Sequence, residues 1–545
     1  MMDIEKSNID SRILEAQIME KLLQKRYEHA KRQPKDYSHL FRPKTRWEMV
    51  RLTLHMVGIQ FTYAVETAFV SPILLGIGLT HTYMTMIWAI SPTLGAVLAP
   101  LIASISDQIR LDWGRRRPVL LALGVGLIIG LLILPNGRTV GLLLADDDVP
   151  VSQMTGFRWG VLITVLGLIM MDFNVETSNG VSRTYFMDMC IKEDRPKVIT
   201  TAVMIGGIGG FAGYMLGSID WAQTDLGNLL GSNEVTMFAA VVIVVLIGLT
   251  TTLTSYHEVP LALMEQDELL RPITRAVFEE EKKRELSLLS ASSVIPIGSE
   301  KLEVGGNSID EDTEKSLSFS LFLKNLIRMP KALRILYFTQ FLSHLGYLSY
   351  CLYFTDFVGR EIFNGDAIAP EGSQEYELYN QGVRFGSLGL GVFILSSSLY
   401  SVIIERLIGL FRARKLYIVG LMLNSLGMIA TGLVHQKFAV FICCITMGIK
   451  YATIFSIPFL LISQYHTKNS FEIVNGTYVR NTQNRGFGAD VSTLSSMLFL
   501  AQVVISLTIG SVIDAFGTTT IVMYSASLFS GLAAISATQI AFMDL

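Results

Sequence analysis

The sequence predicts an all-α membrane protein, with twelve transmembrane helices in two six-helix halves. Three observations lead there. Half of the 545 residues are hydrophobic and only 17% are charged, with a mean hydropathy of +0.45, whereas a soluble chain carries nearer 25% charge. Twelve apolar stretches each approach the roughly 20 residues that cross a bilayer. A long polar segment divides them six and six.

Taken in order, residues 1–51 form an N-terminal tail whose first 46 residues are polar and basic, with no signal peptide. Within it, residues 13–27 read as a short amphipathic helix, solvated or lying on the membrane. Residues 52–256 make the first half, with spans at about 52–75, 82–104, 118–135, 159–187, 199–219 and 235–256. Residues 257–333 are rich in Ser, Glu and Lys and read as a mostly disordered linker. Residues 334–545 make the second half, with spans at about 334–357, 382–404, 415–434, 438–465, 491–513 and 518–541.

Lys and Arg crowd the tail, the loops 104–117, 189–198, 405–415 and 466–490, and the linker, while acids such as Asp146 and Asp148 occupy the alternate connections. By the positive-inside rule both termini are expected in the cytosol. The sequon Asn475-Gly-Thr477 then falls on the cytosolic side and is expected to be unused. In the linker, residues 265–270 (Glu-Gln-Asp-Glu-Leu-Leu) spell an acidic dileucine sorting pattern.

The most informative stretch is 170–188, which places Asp172, Glu176 and Arg183 in one long apolar helix. Asp172 and Arg183 are eleven residues apart, which returns them to nearly the same helix face, roughly 16 Å apart along the axis. Charged side chains at membrane depth normally face a bundle interior or a watery cavity. The reading is a polar path with an acid that binds a proton; the alternative is an interhelix ion pair. Glu66 lies mid-span in the first helix, and Lys450 in the tenth either pairs with an intramembrane acid or snorkels outward. The span-five glycines (Gly206, Gly207, Gly209, Gly210, Gly213, Gly217) read best as packing surfaces.

Between spans two and three stand Asp107, Gly114 and the run Arg115, Arg116, Arg117 before Pro118. An acid ending one span can pair with these arginines and cap the next helix, giving a cytosolic latch; simple topology anchoring is the alternative. Two six-span halves, a long linker and this loop match the layout of the major facilitator superfamily, whose substrates sit at mid-bilayer between the halves.

Further segments resemble the sucrose/proton symporter group of that superfamily, most of all its animal branch of proton-associated sugar transporters and membrane-associated transporter proteins. They are Gly58 through Glu66 to Pro72; His81 with Trp88, Ser91 and Pro92; Trp113-Gly-Arg-Arg-Arg-Pro118; Asp172-Phe with Gly180-Val-Ser-Arg183; Gly213 through Trp221; Thr355 through Glu361; Gly382 through Gly389; and Phe455 through Phe459. The resemblance covers nearly all twelve spans and fades in the tail, the linker and residues 466–490. It implies uptake of a sugar (sucrose, glucose or a related saccharide) with a proton as coupling ion and no other cofactor. It also links His81, Asp172, Arg183, Asp356, Arg360 and Glu361 to transport. Two positions depart from plant-type members, which have an Asp where this chain has Phe354 and a glutamine where it has Glu66.

Asp172 and Glu66, with Arg183, are therefore the candidates for proton coupling. His81, Asp356, Arg360, Glu361 and Arg384 are the candidates for an outer gate or entry path, with ordinary surface charge the alternative for Glu361 and His81. Hydroxyl-rich substrates call for side chains that both donate and accept, which Gln60, Tyr63, Asn174, Gln340, Asn424 and Gln502 can supply. The four cysteines show neither zinc spacing nor a disulfide pattern. The net charge of −3 gives no reason to expect nucleic acid.

Expected partners are thus a sugar, a proton and the lipid bilayer, and the expected working unit is a monomer. The membrane is the plasma membrane or that of an endolysosome-related organelle. Two other functions compete: an organelle carrier acting mainly on luminal pH or ion balance, and a non-transporting receptor or scaffold on a carrier fold. An enzyme is disfavoured, since no metal constellation, nucleophile–base pair or phosphate-binding loop stands in the polar regions.

Overall fold

The computed structural model describes residues 2–143, 155–271, 277–278, 280, 282–284, 330–370, 372–467, 470–474, 477–480 and 487–540. The tail is one helix, α1 (Met2–Lys31), followed by a 3-10 turn at Ser38–Phe41. It is longer than the 13–27 helix expected, and it folds back on the protein through Ile18, Leu22 and Ala30. Helix α2 (Arg46–Thr53) starts at a capping box that the sequence spells as Thr45 with Glu48: the Thr45 N–H donates to Glu48 Oε2 at 2.8 Å.

The first span comprises α3 (His55–Val65), a π turn at Glu66–Val70 and α4 (Ser71–Gly76). The second is split into α5 (His81–Trp88) and α6 (Ile90–Gln108). Pro92 has no N–H for the Trp88 carbonyl, which favours a break at that point. Then come α7 (Arg117–Leu143), α8 (Thr155–Asp188), α9 (Arg195–Gly217), a short α10 (Asp225–Leu230) and α11 (Asn233–Ser255). Beyond the linker lie α13 (Lys331–Phe357) with a π turn at Val358–Ile362, α14 (Gln374–Phe411), α15 (Ala413–Val434), α16 (Lys437–Thr467), α17 (Phe487–Phe516) and α18 (Thr520–Ala537).

Ten helices among the described residues are long and apolar enough to cross a membrane. The other two expected spans coincide with the broken pair α5 and α6, and with α13. The latter carries buried Gln340, Ser343, His344 and Ser349 along its 27 residues.

Two connections differ from expectation. The loop at 466–490 contains an antiparallel hairpin, β1 (Ser470–Val474) with β2 (Thr477–Arg480); Asn475 of the sequon lies outside the described residues. The beginning of the linker is folded: α12 (Leu261–Gln266) and a 3-10 turn at Glu268–Leu270 pack on the tail. Most of its remainder, like Asp146–148, lies outside the described residues.

The tail, the α6–α7 loop, the α8–α9 turn and residue 258 meet at one end of the bundle, where the Lys44 N–H donates to Asp194 and Arg116 pairs with Asp188. We call this the tail face and the opposite end the far face. Helix α9 lies close against α3 because its glycines present no side chain. A Cβ at Gly209 would stand 2.5 Å from the Val57 carbonyl oxygen, and one at Gly213 2.8 Å from the Ala64 methyl. Both contacts bear out packing as the role of these two glycines. Gly209→Val forces the backbones of α3 and α9 apart and should cost about 1–3 kcal/mol, read as a lower thermal midpoint of the detergent-solubilised protein.

Candidate functional site

Three carboxyl side chains meet where α3 and α8 face each other. Tyr63 and Glu66 stand three residues apart on the first span, and Asp172 and Glu176 four apart on α8, so each pair shares a helix face. The Tyr63 hydroxyl donates to Glu176, and Asp172 lies within hydrogen-bonding reach of Ser91 and Glu66. Glu66 opens the π turn, a local widening of the helix that tends to mark functional positions. It is 3% exposed. Among the described residues no Lys, Arg or His pairs with any of the three acids, so the ion-pair alternative for Asp172 is absent in this conformation.

These acids line a cavity of about 150 Å³, which holds on the order of ten waters. Tyr63, Glu66, Trp88 and Asp172 face it from the helices before the linker, and Tyr347, Cys351 and Gln502 from those after it. Two polar atoms of the lining, Glu66 Oε1 and Trp88 Nε1, have no hydrogen-bond partner among the described residues. Buried polar atoms are almost always paired, so these two stand out in the lining. Aromatic faces and both donors and acceptors surround one small space.

The other expected substrate contacts lie elsewhere. Gln60 packs against Gly206 and Gly210 of α9. The Asn174 amide donates to Met170 O at 2.6 Å within its own helix. Gln340 donates to Ile454 O at 3.0 Å and accepts from the Tyr417 hydroxyl, while Asn424 donates to Ser530. Arg183 is exposed, and its Nε donates to Asn179 at 3.2 Å, one turn back. Lys450 neither snorkels nor meets an acid: it is fully buried and donates to Ser530 Oγ at 2.8 Å.

At the far face, polar contacts join the helices before residue 257 to those after 330. Thr82 donates its hydroxyl to Asp514 at 2.6 Å, and Tyr353 donates to the His81 carbonyl at 3.2 Å with the two rings 5.6 Å apart. Arg384 pairs with Asp220 at 3.1 Å, and the Ser71 hydroxyl donates to Leu352 O at 2.7 Å. Asp356 is fully buried and takes Arg360 Nε at 3.0 Å and the Tyr379 hydroxyl at 2.8 Å, so it ties α13 to α14. Glu361 accepts the Thr519 N–H at 2.9 Å and the Thr518 hydroxyl at 2.6 Å, beside the start of α18. These contacts tie the end of α13 to the start of α18, so Glu361 is not free surface charge in this conformation. Asp514, which the sequence reading passed over, has only its place at the end of an apolar span as a signal.

At the tail face the arginines of the α6–α7 loop pair with Asp107 and meet two further acids. Arg116 reaches Asp107 at 2.6 Å and Asp188 at 2.7 Å, and Arg115 reaches Asp188 at 2.8 Å. Arg117 points its Nε to the Tyr185 hydroxyl. The cap on α7 comes from Glu258, not Asp107: Glu258 accepts the N–H groups of Arg116 and Arg117 at 3.1 and 3.2 Å. Burial pushes the Glu258 carboxyl above its usual range, against the downward pull of these N–H groups and of Arg115. Gly114 has φ of +117°, and a Cβ there would stand 2.3 Å from Glu258 Oε2. Gly114→Ala should therefore cost about 1–3 kcal/mol, and thermal unfolding of the purified variant measures the loss.

No protein-family model matches the chain. Individual relatives do. The mouse membrane-associated transporter protein is 32% identical over 88% of this chain and 91% of its own length. Human proton-associated sugar transporter A is 27% identical over 87% and 83%. A solved D-xylose–proton symporter superposes with a TM-score of 0.56 over 91% of this chain and 98% of its own, at 13% identity, which fixes the major facilitator fold. The chain is a multi-pass membrane transporter and not an enzyme. With a third of its residues shared over nearly the full length of a curated relative, it belongs to the family of membrane-associated transporter proteins and proton-associated sugar transporters, solute carrier family 45.

Proposed function

We propose that the chain carries a saccharide across the membrane together with a proton, by alternating access to the cavity between residues 52–256 and 334–545, joined by the linker 257–333. The observation that carries this reading is the cluster of Glu66, Asp172 and Glu176 on a cavity whose Glu66 Oε1 and Trp88 Nε1 lack partners. Three carboxylates in one low-dielectric site repel one another strongly. A proton shared among them removes part of that cost, because it lowers the negative charge that the three must hold in one place. A sugar brings hydroxyls to the carboxyl groups and to Gln502 of the lining, and the aromatic rings of Trp88 and Tyr347 suit its ring. The printed name of the human relative, proton-associated sugar transporter A, points the same way.

Arg183 does not line this cavity. It sits about 16 Å from Asp172 along the same helix, so rocking of the halves does not bring the two together. With positive charge marking the tail face as cytosolic, the contacts of His81, Thr82, Arg384 and their partners close the outward end in this conformation. The protein works in the plasma membrane or an endolysosome-related membrane, and the dileucine sequence at 265–270 favours the second.

The test is uptake of radiolabelled glucose and sucrose into vesicles reconstituted with purified protein, with and without an imposed pH gradient. The wild type should accumulate sugar when the side of entry is acidic. Glu66→Gln and Asp172→Asn should lose that accumulation while still exchanging sugar at equal pH. Uptake that ignores the gradient rules out proton coupling, and failure to move either sugar rules out the saccharide assignment.

A further inference from the structure

The acidic dileucine sequence at 265–270 is folded, and the residues that fold it come from the tail. Leu270 is 2% exposed and clusters with Ala30, Tyr37 and Phe41 of the tail and with Val259. Asp267 lies 2.6 Å from His29 Nε2 in the last turn of α1 and 3.2 Å from Gln33 Nε2 just beyond it. Its other oxygen accepts the Leu269 N–H at 3.0 Å, which sets the 3-10 turn. The Arg26 guanidinium donates to the Arg271 carbonyl. Arg271 in turn donates to Met264 O at 2.7 Å and Glu265 O at 2.8 Å, closing 264–271 into a loop. Glu265 pairs with Arg110 at 3.0 Å.

We propose that residues 265–270 are a docking sequence for a cytosolic sorting protein, held closed by the N-terminal helix. The partner fits the chemistry of the sequence: two adjacent apolar sockets for Leu269 and Leu270, with a basic rim for Glu265. Such a partner needs both leucines exposed and the backbone of 265–270 free. Here one leucine is buried under the tail, and backbone groups at 264, 265, 269 and 271 are taken. Docking therefore requires the last turns of α1 to lift, which breaks the His29, Gln33 and Arg26 contacts together. The closed form is held mainly by polar and charged contacts around a small apolar cluster. That balance suits a device that opens, because the partly exposed His29–Asp267 pair exchanges readily with water.

This inference rests on the reading that the tail face is cytosolic, and the experiment separates the two. Full-length protein is expressed in cells with an N-terminal epitope tag, and its surface fraction is measured by biotinylation. The variants are Leu269→Ala/Leu270→Ala, the triple change Arg26→Ala/His29→Ala/Gln33→Ala, and the two sets combined. The triple change should lower the surface fraction severalfold, and the dileucine change should raise it. The combined variant should match the dileucine change alone. A triple variant distributed like wild type overturns the masking, and so does one whose loss from the surface survives removal of the leucines, which signals misfolding. A dileucine variant distributed like wild type overturns the docking role. If the tag is accessible to antibody on intact cells, it is the orientation that has failed.

Discussion

Placing carboxyl groups within a bilayer is the constraint on which the rest of the structure depends. One ionised side chain at mid-membrane costs at least about 2.5–3.5 kcal/mol, and here three gather in a single cavity with no cation beside them. The surrounding helices accommodate this by specific means. The π turn at Glu66–Val70 directs Glu66 toward α8 instead of into the α3–α9 packing that its neighbours Phe61 and Ala64 serve. The Tyr63 hydroxyl takes one carboxylate and Ser91 lies against another. What remains unsatisfied among the described residues, Glu66 Oε1 and Trp88 Nε1, is buried in the wall of that cavity.

The two ends of the bundle are built differently. At the far face the contacts cross between the two sets: hydroxyl to carboxylate, ring to ring, guanidinium to carboxylate. At the tail face the latch of Asp107, Arg115, Arg116, Asp188 and Glu258 stays within the first set. The far face thus fastens the halves to each other as well as helices of the second half together, while the latch fastens helices of the first half only. A carrier that alternates must exchange the first kind of contact in each cycle and can keep the second.

Much of the fold was legible because membrane spans are written in composition. The expected stretches at 199–219, 235–256 and 415–434 fall within a few residues of α9, α11 and α15. The latch was legible because Asp107, Gly114 and three arginines lie within eleven residues of one another. The site was legible only in part. Asp172 and Glu66 stand out as acids in apolar helices, but the side chains that share their cavity do not. Gln60, Asn174 and Gln340 look as suitable as Gln502 on the sequence, yet the first three turn toward a packed helix or their own backbone. Which face of a span meets the cavity is decided by helix rotation, and a span apolar on most sides has little periodicity to reveal it. The caps from Glu258 and Glu361 were hidden for another reason: each acid acts on a helix far from it in sequence.

The second set of helices holds an ionisable group as deeply as the first, with the opposite result. Lys450 is buried like Glu66, but it donates to Ser530, which also takes Asn424, and it does not line the cavity. The unpaired atoms nearby, on His344 and Asn424, likewise belong to residues outside the cavity lining. The later helices therefore contribute mainly surface to the cavity, through Tyr347, Cys351, Leu348 and Phe499, with Gln502 as a polar exception. The earlier helices contribute its charge. The carboxyl groups of this cavity thus come from one half alone, and the other half faces them with a wall that carries no carboxyl group.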